Sequence, residues 1–560
     1  MLMKCLRLKF FLLLLILSLF VFCLNILKYS DIERISKSYG ENGSAVYLND
    51  PEDIEVNEIL YQKTGMYVLV SEKISVNRSI PDTRPTICHT LKYSKNLPSV
   101  SIIIIFHNEV LSMIKRTLHS IWNRTPNVMI HEIILVNDAS TEQETYKPLR
   151  NYVASYFGDK IKIKELKQRS GLIVARLEGA RIATGEVLIF LDSHIEVNEN
   201  WLPPLISPIK ENKKIATVPV IDDFSSKTFE YFKMPPTRGA FDWTFTFKEL
   251  PIDDEDTIEP FQVPVMLGCA FAIDRSFFLN DLRGYDEQLE VWNGENYELS
   301  FKLHLCADGL LKVPCSRIGH TFREINPTRV TNHDYVARNF KRIAEVWLDE
   351  FKDVLYSRDP KRYETVDAGD LSKQKSLRKQ LKCKPFVYFL ANIAKDLVER
   401  YPPFYQVPVF ASGVLKSLSS GDNFCLVADQ QHEASLRLSK CDNNLIEPKK
   451  FQHFSLTFFK QIEQSGSDLC IDSFNMRLLD CHYEGGNQYW KFDYKSKMLI
   501  NKGKFCLSAN VEMKTVTKEI CNEFDRNQKW MFGYFNHTAM NDWQNINGFR
   551  NFINFNSSQF

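Results

Sequence analysis

Val187-Leu-Ile-Phe-Leu-Asp-Ser-His194 runs from five apolar residues straight into an acid and, two positions on, an imidazole. An apolar run of this length suits a strand covered on both faces, and the polar pair then falls at its carboxyl end, where open α/β sheets bind ligands. Asp192 and His194, one residue apart in an extended segment, point to the same side and can share one cation. Carboxylate plus imidazole with open positions suits Mn²⁺ better than a metal that prefers thiolates.

Outward from this strand, apolar segments at 100–106, 132–136, 161–163 and 187–191 alternate with amphipathic stretches at 109–122, 146–156 and 171–182. Such β-α-β alternation with short connections predicts a parallel sheet carrying helices on both faces. Glu132-Ile-Ile-Leu-Val-Asn-Asp138 also ends on an acid, so a second strand delivers a carboxylate to the same edge, and Asp138 is a candidate contact for the base or ribose of a nucleotide. Gln168-Arg169-Ser170-Gly171 opens the next helix, where Arg169 and Arg176 lie near an amino-terminal end that favours phosphate.

At 560 residues the chain exceeds what one hydrophobic core supports, so two or three domains are expected. The 70 basic residues nearly cancel the 69 acidic ones, leaving no electrostatic footprint for nucleic acid. Lys4, Arg7 and Lys9 precede an apolar stretch at 10–27, interrupted only by Ser18 and Asn25, with no small-residue cleavage site behind it. That pattern reads as an uncleaved signal anchor with a cytoplasmic tail at 1–9 and a luminal remainder. Asn42, Asn77, Asn123, Asn536 and Asn556 then become possible N-glycosylation acceptors. The polar, weakly periodic 28–85 segment suits a stem that need not fold by itself. Ten of the 13 cysteines fall in the folded region at spacings that look paired, in keeping with an oxidising compartment, while Cys269 is left alone.

The carboxyl-terminal third repeats itself. Cys425-Leu-Val, Cys470-Ile-Asp and Cys506-Leu-Ser recur 45 and 36 residues apart, each followed by a second cysteine and closed by Gln452-His-Phe454, Gln488-Tyr-Trp490 or Gln528-Lys-Trp530. Three such units cannot bury their cores separately, which predicts a three-fold β-trefoil.

Taken together, Phe106-His-Asn-Glu109, Leu135-Val-Asn-Asp-Ala-Ser140, Ser170-Gly-Leu172, Leu191-Asp-Ser-His194, Phe241-Asp-Trp243, Trp292-Asn-Gly-Glu-Asn296, Gly319-His-Thr-Phe-Arg323, Ala344-Glu-Val-Trp347 and the repeats resemble the polypeptide N-acetylgalactosaminyltransferases. Those are Golgi enzymes that start mucin-type O-glycosylation. The resemblance implies a GT-A catalytic domain, a Rossmann-like α/β fold, over 86–400, a linker at 401–415, a ricin-type β-trefoil lectin at 416–535 and a tail at 536–560. It also implies a single-pass type II protein in the Golgi membrane that takes UDP-GalNAc as donor and Ser/Thr-containing proteins or glycopeptides as acceptors.

Carried over residue by residue, the resemblance makes Asp192, His194 and His320 the ligands of Mn²⁺, with the diphosphate of UDP completing the shell. Asp138 and Arg169 become uridine-side contacts, Arg176 and Glu295 position the sugar beside Gly268, Trp292 walls the donor and acceptor site, and Arg323 holds the diphosphate. Family members retain configuration without a carboxylate nucleophile, so Glu295 is expected to orient rather than attack. The implied disulfides are Cys88 with Cys315, Cys306 with Cys383, Cys425 with Cys441, Cys470 with Cys481 and Cys506 with Cys521.

Some positions depart from the family pattern. Cys269 and Asn293 stand where it carries glycines, which predicts a tighter donor pocket, and Arg323-Glu-Ile-Asn-Pro-Thr-Arg-Val330 lacks the two glycines of the usual lid, with Asn326 for a His and Thr328 for a Tyr. Val427 and Ser508 replace the sugar-gripping Asp in two lectin repeats, and only the middle one keeps Asp472, His482 and Asn487. These departures leave two other readings open: a weakly active or inactive luminal lectin-like modulator of other transferases, and an enzyme with an altered donor sugar.

Overall fold

A computed structural model of the chain describes residues 39–537 apart from 142, 326–332, 406, 420–422 and 483–484. The expected cytoplasmic tail at 1–9, the anchor at 10–27 and nearly all of the tail at 536–560 lie outside the described residues. Among the described residues no helix is long and apolar enough to cross a membrane. The chain forms two units, one ending at Pro403 and the other beginning at Phe404.

In the first unit, helices α1 (Pro51–Thr64) and α2 (Val68–Lys73) precede β1 (Val100–Phe106), α3 (Leu111–Arg124), β2 (Ile130–Asn137), α4 (Gln143–Tyr156), β3 (Ile161–Glu165), α5 (Leu172–Ile182) and β4 (Val187–Asp192). From β1 to β4 the predicted elements are matched to within three residues at either end. All seven residues of β1 are buried. Ile114, Leu118 and Ile121, at helical spacing on α3, join Ile102, Ile104, Ile189 and Leu191 in one core.

Beyond β4 come β5 (Ile195–Val197), β6 (Ile215–Phe224), β7 (Ala270–Asp274), α6 (Glu295–Cys306), β8 (Gly309–His320) and α7 (Tyr335–Trp347). The sheet runs β8-β6-β7-β4-β1-β2-β3. β1 is parallel to β2 and β4, and β8 to β6, but β7 is antiparallel to both its neighbours. The expected parallel sheet is therefore corrected to a mixed one. The chain between β6 and β7 holds no helix, and an antiparallel neighbour needs no helical crossover.

The stem expected over 28–85 is corrected from residue 39 onward. The Asp50 carboxylate accepts the Glu52 N–H at 2.9 Å and Pro51 occupies the first turn, so α1 has a proper start. Val46, Met66, Val70 and Ile74 then pack with Val110, Met113, Phe224 and Tyr231. Arg78 is wholly buried, donating from Nε and Nη2 to the Glu196 carboxylate at 2.7–3.0 Å and from Nη1 to the Phe229 carbonyl at 2.7 Å. This segment folds because scattered residues reach the catalytic unit, and no periodic apolar stripe announces it.

The linker expected at 401–415 is also corrected. Tyr401 still belongs to the first unit, its carbonyl accepting the Trp243 indole N–H at 2.8 Å. Val409–Ser417 is already a trefoil strand, paired antiparallel with Phe454–Thr457 and Trp530–Phe535. The first strand must pair with the last one for the three-fold barrel to close, so the domain begins before its first cysteine.

The three repeats of the second unit share one device. Gln452, Gln488 and Gln528 are buried; each accepts the N–H of the residue after the repeat's second cysteine, at 2.8–3.1 Å, and donates to the carbonyl of the residue before it, at 2.8–2.9 Å. Trp490 and Trp530 donate their indole N–H to the carbonyls of Ile471 and Leu507, one residue past the first cysteine of their repeats. The five disulfides in the structure join the pairs that the resemblance implies, and Cys269 is free and buried.

Arg78→Ala leaves the Glu196 carboxylate buried with its main partner gone, a change that typically costs about 3–5 kcal/mol. The urea unfolding midpoint should fall accordingly. A loss under about 1 kcal/mol, the range of an exposed pair, would show that the segment before residue 85 is dispensable for folding.

Candidate active site

Asp192 ends β4, and β5 begins three residues later. β5 pairs antiparallel with the end of β8, setting Ile195 opposite His320. The Thr117 hydroxyl on α3 lies 3.0 and 2.9 Å from the carbonyl oxygens of Ser193 and Ile195 and accepts the Ile195 N–H at 3.1 Å, which fixes the turn between the two strands. Asp192, His194 and His320 thereby offer three ligand atoms within 4.8 Å of one another. His320 Nε2 stands 3.2 Å from Asp192 Oδ2. With metal–ligand bonds of roughly 2.0–2.2 Å, two ligands at right angles are separated by about that distance.

The electrostatics prepare these groups for a cation. Burial alone would raise the Asp192 carboxyl, but His320 and the Arg176 cation hold it at about 2. Burial, then the Arg323 cation, pushes His194 below its ordinary value and keeps it neutral, the form that binds metal. Cys269 borders the same cavity, but burial and the neighbouring Asp192 push its thiol well above the usual range. The donor set is therefore one carboxylate and two imidazoles, without thiolate, which fits Mn²⁺.

Glu109, three residues past the end of β1, is a candidate functional residue that sequence reasoning missed. Its carboxylate accepts from His194 Nδ1 at 2.8 Å and from the Ser193 hydroxyl at 2.9 Å, and it pairs with Arg323. With Nδ1 so occupied, Nε2 is the nitrogen through which His194 would bind a metal. Burial opposes ionisation of Glu109, yet Arg323 and His194 hold its carboxyl well below the usual range. The signal was present in Phe106-His-Asn-Glu109, an acid just past a strand end like the one at Asp192.

A cavity of 710 Å³ opens beside these groups and is lined by Asp138, Arg169, Arg176, Gly268, Trp292, Glu295 and Arg323 as well as by Glu109 and the three ligands. Arg176 is 1 % exposed and joins three of its neighbours, donating to the Gly268 carbonyl at 2.6 Å and facing Asp192 at 3.3 Å and Glu295 at 3.6 Å. Asp138 spends its carboxylate on the backbone N–H groups of Ser170 and Gly171 at 2.7 and 2.9 Å, tying the end of β2 to the turn that carries Arg169. Arg323, expected on a diphosphate, is engaged by Glu109 here. Asn326 and Thr328 lie outside the described residues.

The two substituted glycines differ in consequence. Gly268 has φ 95° and keeps the left-handed conformation, whereas Cys269 is not among the positive-φ residues, so the backbone accepts its side chain. Its side chain belongs to the hydrophobic core cluster. Asn293 does adopt φ 73°, but asparagine tolerates that region better than most residues. In the second unit, Asn487 Nδ2 donates to the Asp472 carboxylate and His482 Nε2 lies 3.2 Å from Asn487 Oδ1, so the expected sugar-binding trio is assembled.

Residues 101–280 match the description glycosyl transferase family 2, and residues 411–530 the ricin-type beta-trefoil lectin domain. Over 529 residues the chain is 40% identical to N-acetylgalactosaminyltransferase 4 of Drosophila melanogaster, covering 91% of this chain and 82% of that protein. It is 38% identical over 529 residues to human polypeptide N-acetylgalactosaminyltransferase 10, covering 91% and 85%. The chain belongs to the polypeptide N-acetylgalactosaminyltransferases. A crystal structure of GalNAc-T7 with UDP, GalNAc and Mn²⁺ is similar to it with a TM-score of 0.66 and 30% identity, covering 88% of this chain and 92% of that one. The two units are accordingly the GT-A glycosyltransferase domain and the lectin of this family.

Glu109→Gln keeps the shape but removes the charge that orients His194. Mn²⁺ affinity should fall about 10–100-fold, measured by calorimetric titration. Unchanged affinity would show that His194 needs no such partner.

Proposed function

We propose that this transferase moves GalNAc from UDP-GalNAc to Ser or Thr hydroxyls of proteins with retention of configuration, dependent on Mn²⁺. The observation that carries the reading is the convergence of Asp192, His194 and His320 beside the Arg176–Glu295 pair in one cavity. Mn²⁺ held by the three ligands would offset negative charge on the departing diphosphate. Arg176 and Glu295 orient the sugar, Trp292 walls it, and Asp138 steadies the Arg169 turn on the uridine side.

Each carboxylate at the cavity already has a task. Glu109 pairs with Arg323 and His194, Asp138 caps backbone amides, Asp192 ligates and Glu295 faces Arg176. This supports reaction on one face of the sugar, the β-phosphate of the leaving group taking the acceptor proton, with positioning and charge stabilisation supplying the rate. The basic flank and apolar stretch at 10–27, with five disulfides, support a type II Golgi membrane protein whose two domains are luminal.

A donor-binding protein without efficient turnover is the second reading, favoured by the Arg323–Glu109 pair, which diverts a cation expected on the diphosphate. Incubating the protein with Mn²⁺, a panel of UDP-sugars and a broad set of peptides and glycopeptides separates the readings. The expected result is GalNAc transfer from UDP-GalNAc, abolished by chelation. Asp192→Asn and His320→Ala should each lower kcat/KM by about a thousand-fold, the equivalent of about 4 kcal/mol of barrier. UDP binding without transfer to any acceptor would sink the first reading, and transfer of a different sugar would correct its donor.

Asp472→Ala should abolish retention on immobilised GalNAc while leaving transfer to short unglycosylated peptides unchanged. Undiminished retention would remove the middle repeat as the sugar site.

A further inference from the structure

The turn 290–294 carries Trp292 and leads directly into Glu295, the first residue of α6. It is held in an uncommon backbone state. Val291 has φ 52°, Asn293 φ 73° and Gly294 φ 102°, three left-handed residues within four positions. For a β-branched residue such as Val291 that conformation is a true outlier, and it persists only where surrounding structure imposes it.

Two elements grip the turn. On one side the Leu172 N–H, at the start of α5, donates to the Val291 carbonyl at 2.8 Å, and Gly171 lies so close that a Cβ there would come within 2.6 Å of Val291 Cα. On the other side stands Asn339 of α7, fully buried. Its Oδ1 accepts the Glu290 N–H at 2.9 Å, while its Nδ2 donates to the Glu290 carbonyl at 2.8 Å and the Asn293 carbonyl at 2.8 Å, with the Trp292 carbonyl at 3.4 Å. One amide thus reads both backbone groups of Glu290 and caps the far end of the turn.

We infer that Asn339 is a positioning residue for transfer: it holds the 290–294 turn in its left-handed path and thereby sets where Trp292 and Glu295 meet the donor sugar. The inference rests on the proposed roles of Trp292 and Glu295. Only an amide serves here, because the position needs an acceptor for one N–H and donors for two carbonyls within one short side chain. An aspartate without donors would set a carboxylate oxygen against those carbonyls, and an apolar isostere would leave all of these part-buried backbone groups without this partner. The arginine that faces Glu295 lies on α5, whose amino-terminal end abuts the turn, so a shift of the turn changes the Arg176–Glu295 spacing while leaving Asp192 on β4, His194 on the β4–β5 turn and His320 on β8.

The test uses the full chain with Asn339→Leu and Asn339→Asp, beside wild type and Glu295→Gln. The readouts are kcat and KM with UDP-GalNAc, calorimetric affinity for UDP with Mn²⁺, thermal midpoint, and amide hydrogen exchange across 287–296. The expected result for the Asn339 variants is a kcat about a hundred-fold lower, UDP affinity within about twofold of wild type, and faster exchange confined to the turn. Wild-type kcat, or unchanged exchange in the turn, overturns the inference, as does a loss of UDP affinity in step with kcat and melting temperature, which marks Asn339 as an ordinary core residue. Should the Leu variant not fold, the near-isosteric Asp variant, which keeps an acceptor for Glu290, decides by the same readouts. Glu295→Gln with wild-type kcat, or wild type without transfer, overturns the reading of the site instead, and the exchange measurement still decides whether Asn339 holds the turn.

Discussion

Three backbone pairings, Ile195 with His320, Glu196 with Gly319 and Val197 with Ile318, join the two distant stretches that supply the candidate metal ligands. A slip of one residue would turn every side chain on β5 to the opposite face, moving His320 away from Asp192. The register is secured from several sides. Glu196 is buried against Arg78, Thr117 holds the turn ahead of β5, and β8 follows β6 through Ile318 and His320. The position of the candidate metal site is thus a property of sheet pairing.

From that edge the chemistry spreads through charge. Glu109 joins His194 to Arg323, and Arg176 joins Asp192 to Glu295, so on each side of the cavity buried carboxylates face an arginine. Fixed partners of this kind keep the candidate ligands and the groups that line the cavity in one orientation.

Much of this was legible in the residues. The apolar runs at 100–106 and 187–191 could only be buried strands, and the acids behind them marked the edge of the sheet. Glu109 escaped because a lone acid after a strand says nothing about its partner, which lies 85 residues away in sequence. The packing of 39–85 escaped for another reason. In α1 only Asn57 and Tyr61 are buried, too few for a periodic signal, and the decisive contact is a single arginine reaching a single glutamate. The strand at Val409–Ser417 was hidden because its partners close the first and the last repeats, far along the chain. The lectin repeats read clearly because the holding residues and the candidate sugar residues differ: a glutamine holds each unit and a tryptophan two of the three, while Asp472, His482 and Asn487 form the trio found in the middle one.

The buried Arg78 also sets how far the chain can be trimmed from its amino-terminal side. A cut just after Arg78 would strip away the segment that packs on Val110 and Phe224 and would leave Glu196 facing Arg116, 4.0 Å away, as its remaining close cation. A fragment that keeps Glu196 paired must therefore begin upstream of Arg78.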